Sequence, residues 1–152
     1  MSPATPKRRI DTAAGETAST SKTDRVSATG LDIVDPPQAL VDWLRPLGIA
    51  AGEGKLVDLT LAGAKKEIYS AVLNELLASD HCDLVIPIAG SSAQFQPQIA
   101  VAPVVEADAR GKIIAAFLAP HADKSLALLS DAGIAAFRTP ESCADAISAW
   151  RN

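Results

Sequence analysis

Aromatic side chains make up only 4% of this 152-residue chain, although hydrophobic residues account for 48% of it. The apolar content is therefore carried by Ala, Leu, Val and Ile, a mixture that suits helices laid on buried parallel strands better than a β-sandwich. Cysteine is also sparse, with only Cys82 and Cys143 present. Two cysteines are too few for a disulfide framework, and their separation matches no metal-ligand spacing. Both are expected to be reduced, buried and to act as small hydrophobes. No apolar run approaches the ~20 residues needed to cross a bilayer, and the N-terminus lacks the apolar core of a secretory signal. A cytoplasmic protein with no membrane partner is expected. An excess of basic charge is missing too. The formal net charge is -4, and beyond residue 30 there are nine basic residues against fifteen acidic. That balance argues against nucleic acid as the main partner.

The content that is present is organised unevenly. Residues 1–30 are Ser, Thr, Ala, Pro and scattered charge with almost no large apolar residue. Such a segment cannot bury enough surface to offset its ordering entropy, so it is expected to be disordered. The triplet Lys7-Arg8-Arg9 within it reads as a solvated charge run. Order is expected over residues 31–152. Asp35-Pro36-Pro37 marks a helix start, with Leu40, Trp43, Leu44 and Leu47 as its apolar face and Gly48 as its stop. Leu56-Val57-Asp58-Leu59-Thr60 reads as a short extended segment entering a turn at Ala62-Gly63.

The clearest helix runs over residues 64–79. Ile68, Val72 and Leu76 repeat at i, i+4 and i+8, with Tyr69, Leu73 and Leu77 beside them and charged residues opposite. Leu84-Val85-Ile86-Pro87-Ile88 is a continuous apolar run of strand length, weakened at Pro87 because proline donates nothing to a ladder. A helix over 98–110, kinked or started at Pro103 and closed by Gly111, leads to a second buried strand over 113–119. A helix over 122–132 stops at Gly133, a short strand follows over 134–138, and Thr139-Pro140-Glu141 opens the last helix with Cys143, Ile147 and Trp150 on its buried face. Strands that alternate with single helices imply right-handed crossovers and a parallel sheet. The expected class is α/β, a flavodoxin-like open parallel sheet with helices on both faces. Because residues 1–30 offer no buried strand, the sheet is expected to lack its first one.

In open parallel sheets ligands gather at the carboxyl ends of the strands, which makes Gly90, Ser91, Ser92 and His121 the loop candidates for binding. Ser91 and Ser92 stand outside any G-x-S-x-G elbow, so helix capping or a polar loop is the favoured reading over nucleophilic catalysis. His121 has no neighbouring carboxylate or glycine-rich cradle to orient it. His81, Cys82 and Asp83 are adjacent in sequence and cannot converge on one metal, so no metal site is expected. Gly52-Glu53-Gly54-Lys55 is followed by Leu56 and does not fit G-x-x-x-x-G-K-[ST]. The chain therefore offers no nucleotide motif, and no catalytic residue is assigned.

The order of several short motifs carries a resemblance. Leu56-Val57-Asp58-Leu59-Thr60, a helix containing Glu67-Ile68-Tyr69, and Asp83-Leu84-Val85-Ile86 are followed by Gly111-Lys112-Ile113-Ile114, Ala132-Gly133-Ile134 and Thr139-Pro140-Glu141-Ser142-Cys143-Ala144. Taken together this order resembles the C-terminal flavodoxin-like ligase-CoA module of the ADP-forming acyl-CoA synthetases, relatives of succinyl-CoA synthetase. The likeness spans residues 31–150. Lys55-Leu56 stands where that family has Asn-Pro, Ile113 replaces a proline after Lys112, and the family's glycine-rich opening is absent. Its phosphohistidine context is absent as well, around His81 and His121 alike.

The resemblance implies a complete enzyme that uses ATP and Mg to convert a carboxylic acid into an acyl phosphate, passes the phosphoryl group through a histidine, and releases acyl-CoA. On that reading this chain is a partial module with a structural and positional role, inactive alone. Its partners would be the ATP-grasp and CoA-binding modules, which carry the ATP and CoA sites, and no cofactor is expected on this chain by itself. The alternative is a free-standing flavodoxin-like module that binds a small ligand or a partner at the Gly90-Ser91-Ser92-Ala93 loop. A detached module should expose an apolar seam; an independent binding module should be closed.

Overall fold

The structure is a computed structural model, which describes residues 9–14, 31–49, 51, 56–59, 65–118 and 121–151. Its centre is the apolar run singled out in the sequence. β4 (Leu84–Ala89) is buried at all six positions and lies between β1 (Arg9–Ala14) and β5 (Ile113–Leu118). β6 (Ala135–Phe137) pairs the far side of β5. On the other flank, β1 is paired near its start by β2 (Asp32–Ile33) and near its end by β3 (Leu56–Asp58). Every one of these ladders is parallel, with Ile10 opposite Leu84, Leu84 opposite Ile113, and Ala115 opposite Ala135. Parallel neighbours cannot be joined by a tight hairpin, so β4 to β5 and β5 to β6 are each linked by a crossover.

The strand pleat sorts the core into two layers. Val57, Val85, Ala89, Ala116 and Leu118 point to one face, while Leu84, Ile86, Ile88, Ala115 and Phe117 point to the other. This is the period-2 alternation of extended chain applied to strands buried on both sides. The first face is covered by α1 (Gln38–Leu44), α2 (Lys66–Ala78), α4 (Pro97–Val105) and α5 (Asp123–Asp131), and the second by α6 (Pro140–Arg151) through Cys143 and Ile147. In α2 the side chains of Val72, Leu73, Leu76 and Leu77 are at most 1% exposed, and each such side chain contributes roughly 1.5–3 kcal/mol relative to leaving it in water. This is the α/β, flavodoxin-like arrangement, with helices on both faces.

Several expectations need correction. The first strand is present: Arg9–Ala14, inside the segment expected to be disordered, forms β1 between β4 on one side and β2 and β3 on the other. Its place is set by backbone pairing to strands far away in sequence, which the local composition does not reveal. The rest of residues 1–30 lies outside the described residues, apart from β1 itself. Asp35 does not cap α1, which begins after Pro37 with no side-chain cap bond. Prolines follow Asp35 at both next positions and offer no N–H to its carboxylate. Trp43 and Leu47, expected on the buried face with Leu40 and Leu44, are exposed, as is Trp150 on α6. The helix expected over 98–110 is α4, which starts at Pro97, runs through Pro103 and ends early at Val105; a short, unexpected helix, α3 (Ser92–Phe95), precedes it. Proline is well placed at the first helical position because its missing N–H would be an orphan there.

Gly48 and Gly133 close their helices where the sequence puts them, whereas Gly111 lies in a turn well beyond α4, which already ends at Val105. Gly48, Gly111 and Gly133 all adopt positive φ, between 74° and 79°, the left-handed region that only glycine enters at no cost. Pro87 marks a local gap: Ile88 pairs Phe117 and Val85 pairs Ile114, but the positions between them make no matching step to β5. At α6 the Thr139 hydroxyl accepts from the Ser142 N–H at 3.1 Å, the N-cap expected from Thr139-Pro140-Glu141. Cys82 and Cys143 are buried thiols that form no disulfide. No helix among the described residues is long and apolar enough to cross a membrane.

Candidate functional site at the carboxyl edge of the sheet

Because every ladder is parallel, the carboxyl ends of the strands share one edge: Asp58 opposite Ala14, Ala14 opposite Ile88, and Ala89 opposite Leu118. The chain lays β2 and β3 on one side of β1 and β4 to β6 on the other. The order therefore reverses between β1 and β4, and the crevice outside such a reversal is where open sheets take ligands. Gly90, Ser91 and Ser92 extend directly from β4 at that point, and His121 follows β5 on the same edge. The four candidates read from the sequence thus lie on one side of the molecule. The turn that follows β3, and Gly52-Glu53-Gly54-Lys55, lie outside the described residues.

The β4 loop is held by backbone bonds. The Gly90 carbonyl accepts from the Ala93 N–H at 3.1 Å, and the Ser91 carbonyl accepts from Gln94 and Phe95 at 3.0 and 3.2 Å. Ser91 occupies the N-cap position of α3, but its side chain makes no cap bond. The Ser92 carbonyl accepts from the Gln96 N–H at 2.8 Å, and the one after it, that of Ala93, would receive the N–H of residue 97 in a continuing helix, but residue 97 is proline. The Ser125 hydroxyl of α5 takes that place and donates to the Ala93 carbonyl at 2.6 Å, with Ser125 fully buried. One buried hydroxyl therefore ties the loop after β4 to the helix after β5. Nothing in the spacing of Ser125 marks this; the signal is Pro97, four residues beyond an orphaned carbonyl.

His121 is exposed and takes φ 67°, a left-handed conformation uncommon outside glycine and one to which histidine is better suited than most residues. Next to it, Asp123 in the first turn of α5 pairs with Arg138, just past β6. The acid also complements the positive end of the α5 dipole. Together these place two serines, an imidazole and an Asp–Arg pair along one edge. The arrangement can hold a polar or anionic ligand group.

A second concavity, of about 380 Å3, opens at the opposite, amino edge of the sheet, lined by Asp80, Cys82, Asp83, Gly111, Lys112, Ile113 and Trp150. The sequence did not point to it. Its lysine is already engaged: the Lys112 ammonium donates to the carbonyls of Leu76, at 3.2 Å, and of Ser79. The Cys82 thiol also donates to the Leu76 carbonyl, at 3.6 Å. The last carbonyls of α2 have no donors within the helix, and a cation at this end also opposes the negative pole of the dipole. The lysine of Gly111-Lys112-Ile113-Ile114 is thus a helix cap. His81 is exposed nearby and its backbone N–H donates to the Ser79 hydroxyl. Among the described residues no group of three or more His, Cys, Asp or Glu could hold a metal ion.

Two buried groups have displaced ionisation. Burial raises the Tyr69 phenol, whose hydroxyl has no hydrogen-bond partner among the described residues. Burial also pushes the Cys143 thiol from 9.0 up to about 12, so the residue is a neutral packing group and not a nucleophile.

No protein-family model matches the chain, and no curated protein matches it in sequence. Solved structures do match its fold. PH0766 from Pyrococcus horikoshii OT3 superimposes with a TM-score of 0.76 at 21% identity, over 93% of this chain and 34% of that one. A dinucleotide-forming acetyl-coenzyme A synthetase 1 from Ca. Korarchaeum cryptofilum matches with a TM-score of 0.70 at 19% identity, over 95% of this chain and 33% of that one, both in its apo form and in complex with phosphate and ADP. The chain thus spans about a third of the length of these structures, and what it shares with them is the fold.

Proposed function

We propose that this chain is a partial module of an ATP-dependent acid–CoA ligase, with a structural and positional role, acting in the cytoplasm beside ATP-grasp and CoA-binding modules carried elsewhere. The supporting observation is the superposition of 93–95% of the chain on about a third of each structurally similar protein, one of them an acetyl-coenzyme A synthetase. The order of motifs from Leu56 to Ala144 supports the same reading. Acid activation followed by thioester formation needs phosphate ligands, a metal and a phosphoryl carrier gathered around one centre. The described residues supply a polar edge at Gly90, Ser91, Ser92 and His121, which on this reading forms one wall of such a centre, with ATP, Mg and CoA held by the other modules.

The test is affinity purification of the tagged chain from its own cytoplasm, with sizing and mass spectrometry of what accompanies it. A chain bearing an ATP-grasp or CoA-binding domain in fixed ratio is the expected result. A chain that elutes alone as a compact monomer would instead favour a free-standing ligand- or partner-binding module.

A further inference from the structure

The cavity of about 380 Å3 at the amino edge of the sheet has no part in the proposed ligase role. Its volume falls at the lower end of the range of small-ligand sites. Asp80, Cys82 and Asp83 reach it from the connection between α2 and β4, Gly111, Lys112 and Ile113 from the entry to β5, and Trp150 from the last turn of α6. Helices that cross over a parallel sheet run back toward the amino ends of its strands, so their carboxyl ends gather at this edge. α2 ends at Ala78 and α6 at Arg151, and each brings the negative pole of its dipole. The chain already places one cation in that field, since the Lys112 ammonium donates to the Leu76 and Ser79 carbonyls. Two carboxylates line the same cavity, so the balance stays negative after that lysine is committed to the end of α2. The remaining wall includes the exposed indole of Trp150, whose ring face is both apolar and electron-rich.

We infer that this cavity is a binding site for a small organic cation, a primary ammonium or guanidinium carried on a short apolar chain. The Asp80 and Asp83 carboxylates accept from the N–H groups of the charged head. Each ionised carboxylate offers about four lone-pair sites, so contacts they make within the chain leave capacity for a ligand. The Trp150 ring packs against the chain of the ligand and faces its charge. The other ligand classes fit less well. An anion meets two carboxylates and two helix carboxyl ends, with the one lysine already bonded to carbonyls. A wholly apolar molecule strips water from the carboxylates and returns no hydrogen bond. The site lies at the end of the sheet opposite Gly90, Ser91, Ser92 and His121, so it is separate from the polar edge assigned to the ligase centre.

The experiment records proton–nitrogen correlation spectra of the full 152-residue chain during titration with hexylammonium, beside hexanol and hexanoate as its neutral and anionic counterparts. Expected with hexylammonium are saturable shifts centred on the amides of residues 80–83 and 111–113 and on the Trp150 indole N–H, with the other two compounds bound more weakly. Asp80→Asn and Asp83→Asn each raise the dissociation constant about threefold or more, and added salt raises it too. Glu67→Gln, which removes the same charge from the first turn of α2 at the opposite edge, leaves it unchanged. Trp150→Leu keeps an apolar side chain without the ring and weakens binding. Circular dichroism and melting check that each variant folds. No saturable shift in the low millimolar range, an equal response to all three compounds, or binding indifferent to both aspartates each overturns the inference. So does a preference for hexanoate that is lost in Lys112→Met, which would make the cavity an anion site.

Discussion

Replacing Ser125 with alanine should loosen the chain by far more than the loss of one oxygen suggests. Its hydroxyl donates to the Ala93 carbonyl at 2.6 Å, and Ser125 and Ala93 are at most 1% exposed. Pro97 cannot donate to that carbonyl, and water has no access to it, so Ser125→Ala leaves a buried acceptor without a partner. Such an orphan costs roughly 1–3 kcal/mol, and the small void left by the oxygen adds little. For a domain of this size about 2 kcal/mol corresponds to a melting shift of about 5–8 °C. The assay is thermal and urea unfolding followed by circular dichroism, with Ser130→Ala, an exposed position on the same helix, expected within about 0.5 kcal/mol of the unaltered chain. Hydrogen exchange should quicken in residues 90–96 as well, because the bond ties α3 to α5. A loss below about 0.5 kcal/mol for Ser125→Ala would refute the reasoning, since it would mean the Ala93 carbonyl is satisfied in some other way.

The remaining expectations rest on the same bookkeeping of buried polar groups. Lys112→Met removes the donor to the Leu76 and Ser79 carbonyls at the end of α2 and should cost about 1–2 kcal/mol in urea unfolding, with Lys124→Met, exposed on α5, as a neutral comparison. Tyr69→Phe deletes a hydroxyl that is buried without a partner among the described residues; stability should be unchanged or higher by up to about 1 kcal/mol, and a clear loss in the melt would show that the hydroxyl is bonded after all. Cys143 keeps its proton in the folded state up to about pH 12 but loses it near 9.0 when unfolded. The unfolded chain therefore binds fewer protons between those values, and stability should fall as pH rises through that window, by at most about 1.4 kcal/mol per unit for this one group. Cys143→Ala should flatten the decline in melting temperature above pH 9.

Local physics made much of the fold legible. β4 and β5 are long apolar runs with nowhere to go but a buried sheet, α2 repeats its apolar residues at helical spacing, and Gly48, Gly111 and Gly133 end turns that need positive φ. The failures are of another kind. β1 has Ile10 as its one large apolar residue, and its pairing with β4 joins residues more than seventy positions apart. Helical spacing puts Trp43 and Trp150 with the buried residues of their helices, yet they are 45% and 41% exposed. At the candidate site, topology placed Gly90, Ser91, Ser92 and His121 on one edge, as strand order alone requires. Ser125 and Lys112 escaped notice because their importance depends on which carbonyls the helices leave open, and that is settled only when Pro97 and the end of α2 are in place.

The account stands most directly on whether the chain is needed by a larger ligase and idle without it. The measurement is formation of acyl-CoA from a carboxylic acid, CoA and Mg-ATP by three samples: the purified chain, the assembly that co-purifies with it, and that assembly after this chain is removed. The account predicts no product from the chain alone, product from the assembly, and loss of product on removal with recovery when the chain is restored. Product from the isolated chain, or an assembly equally active without it, would contradict it.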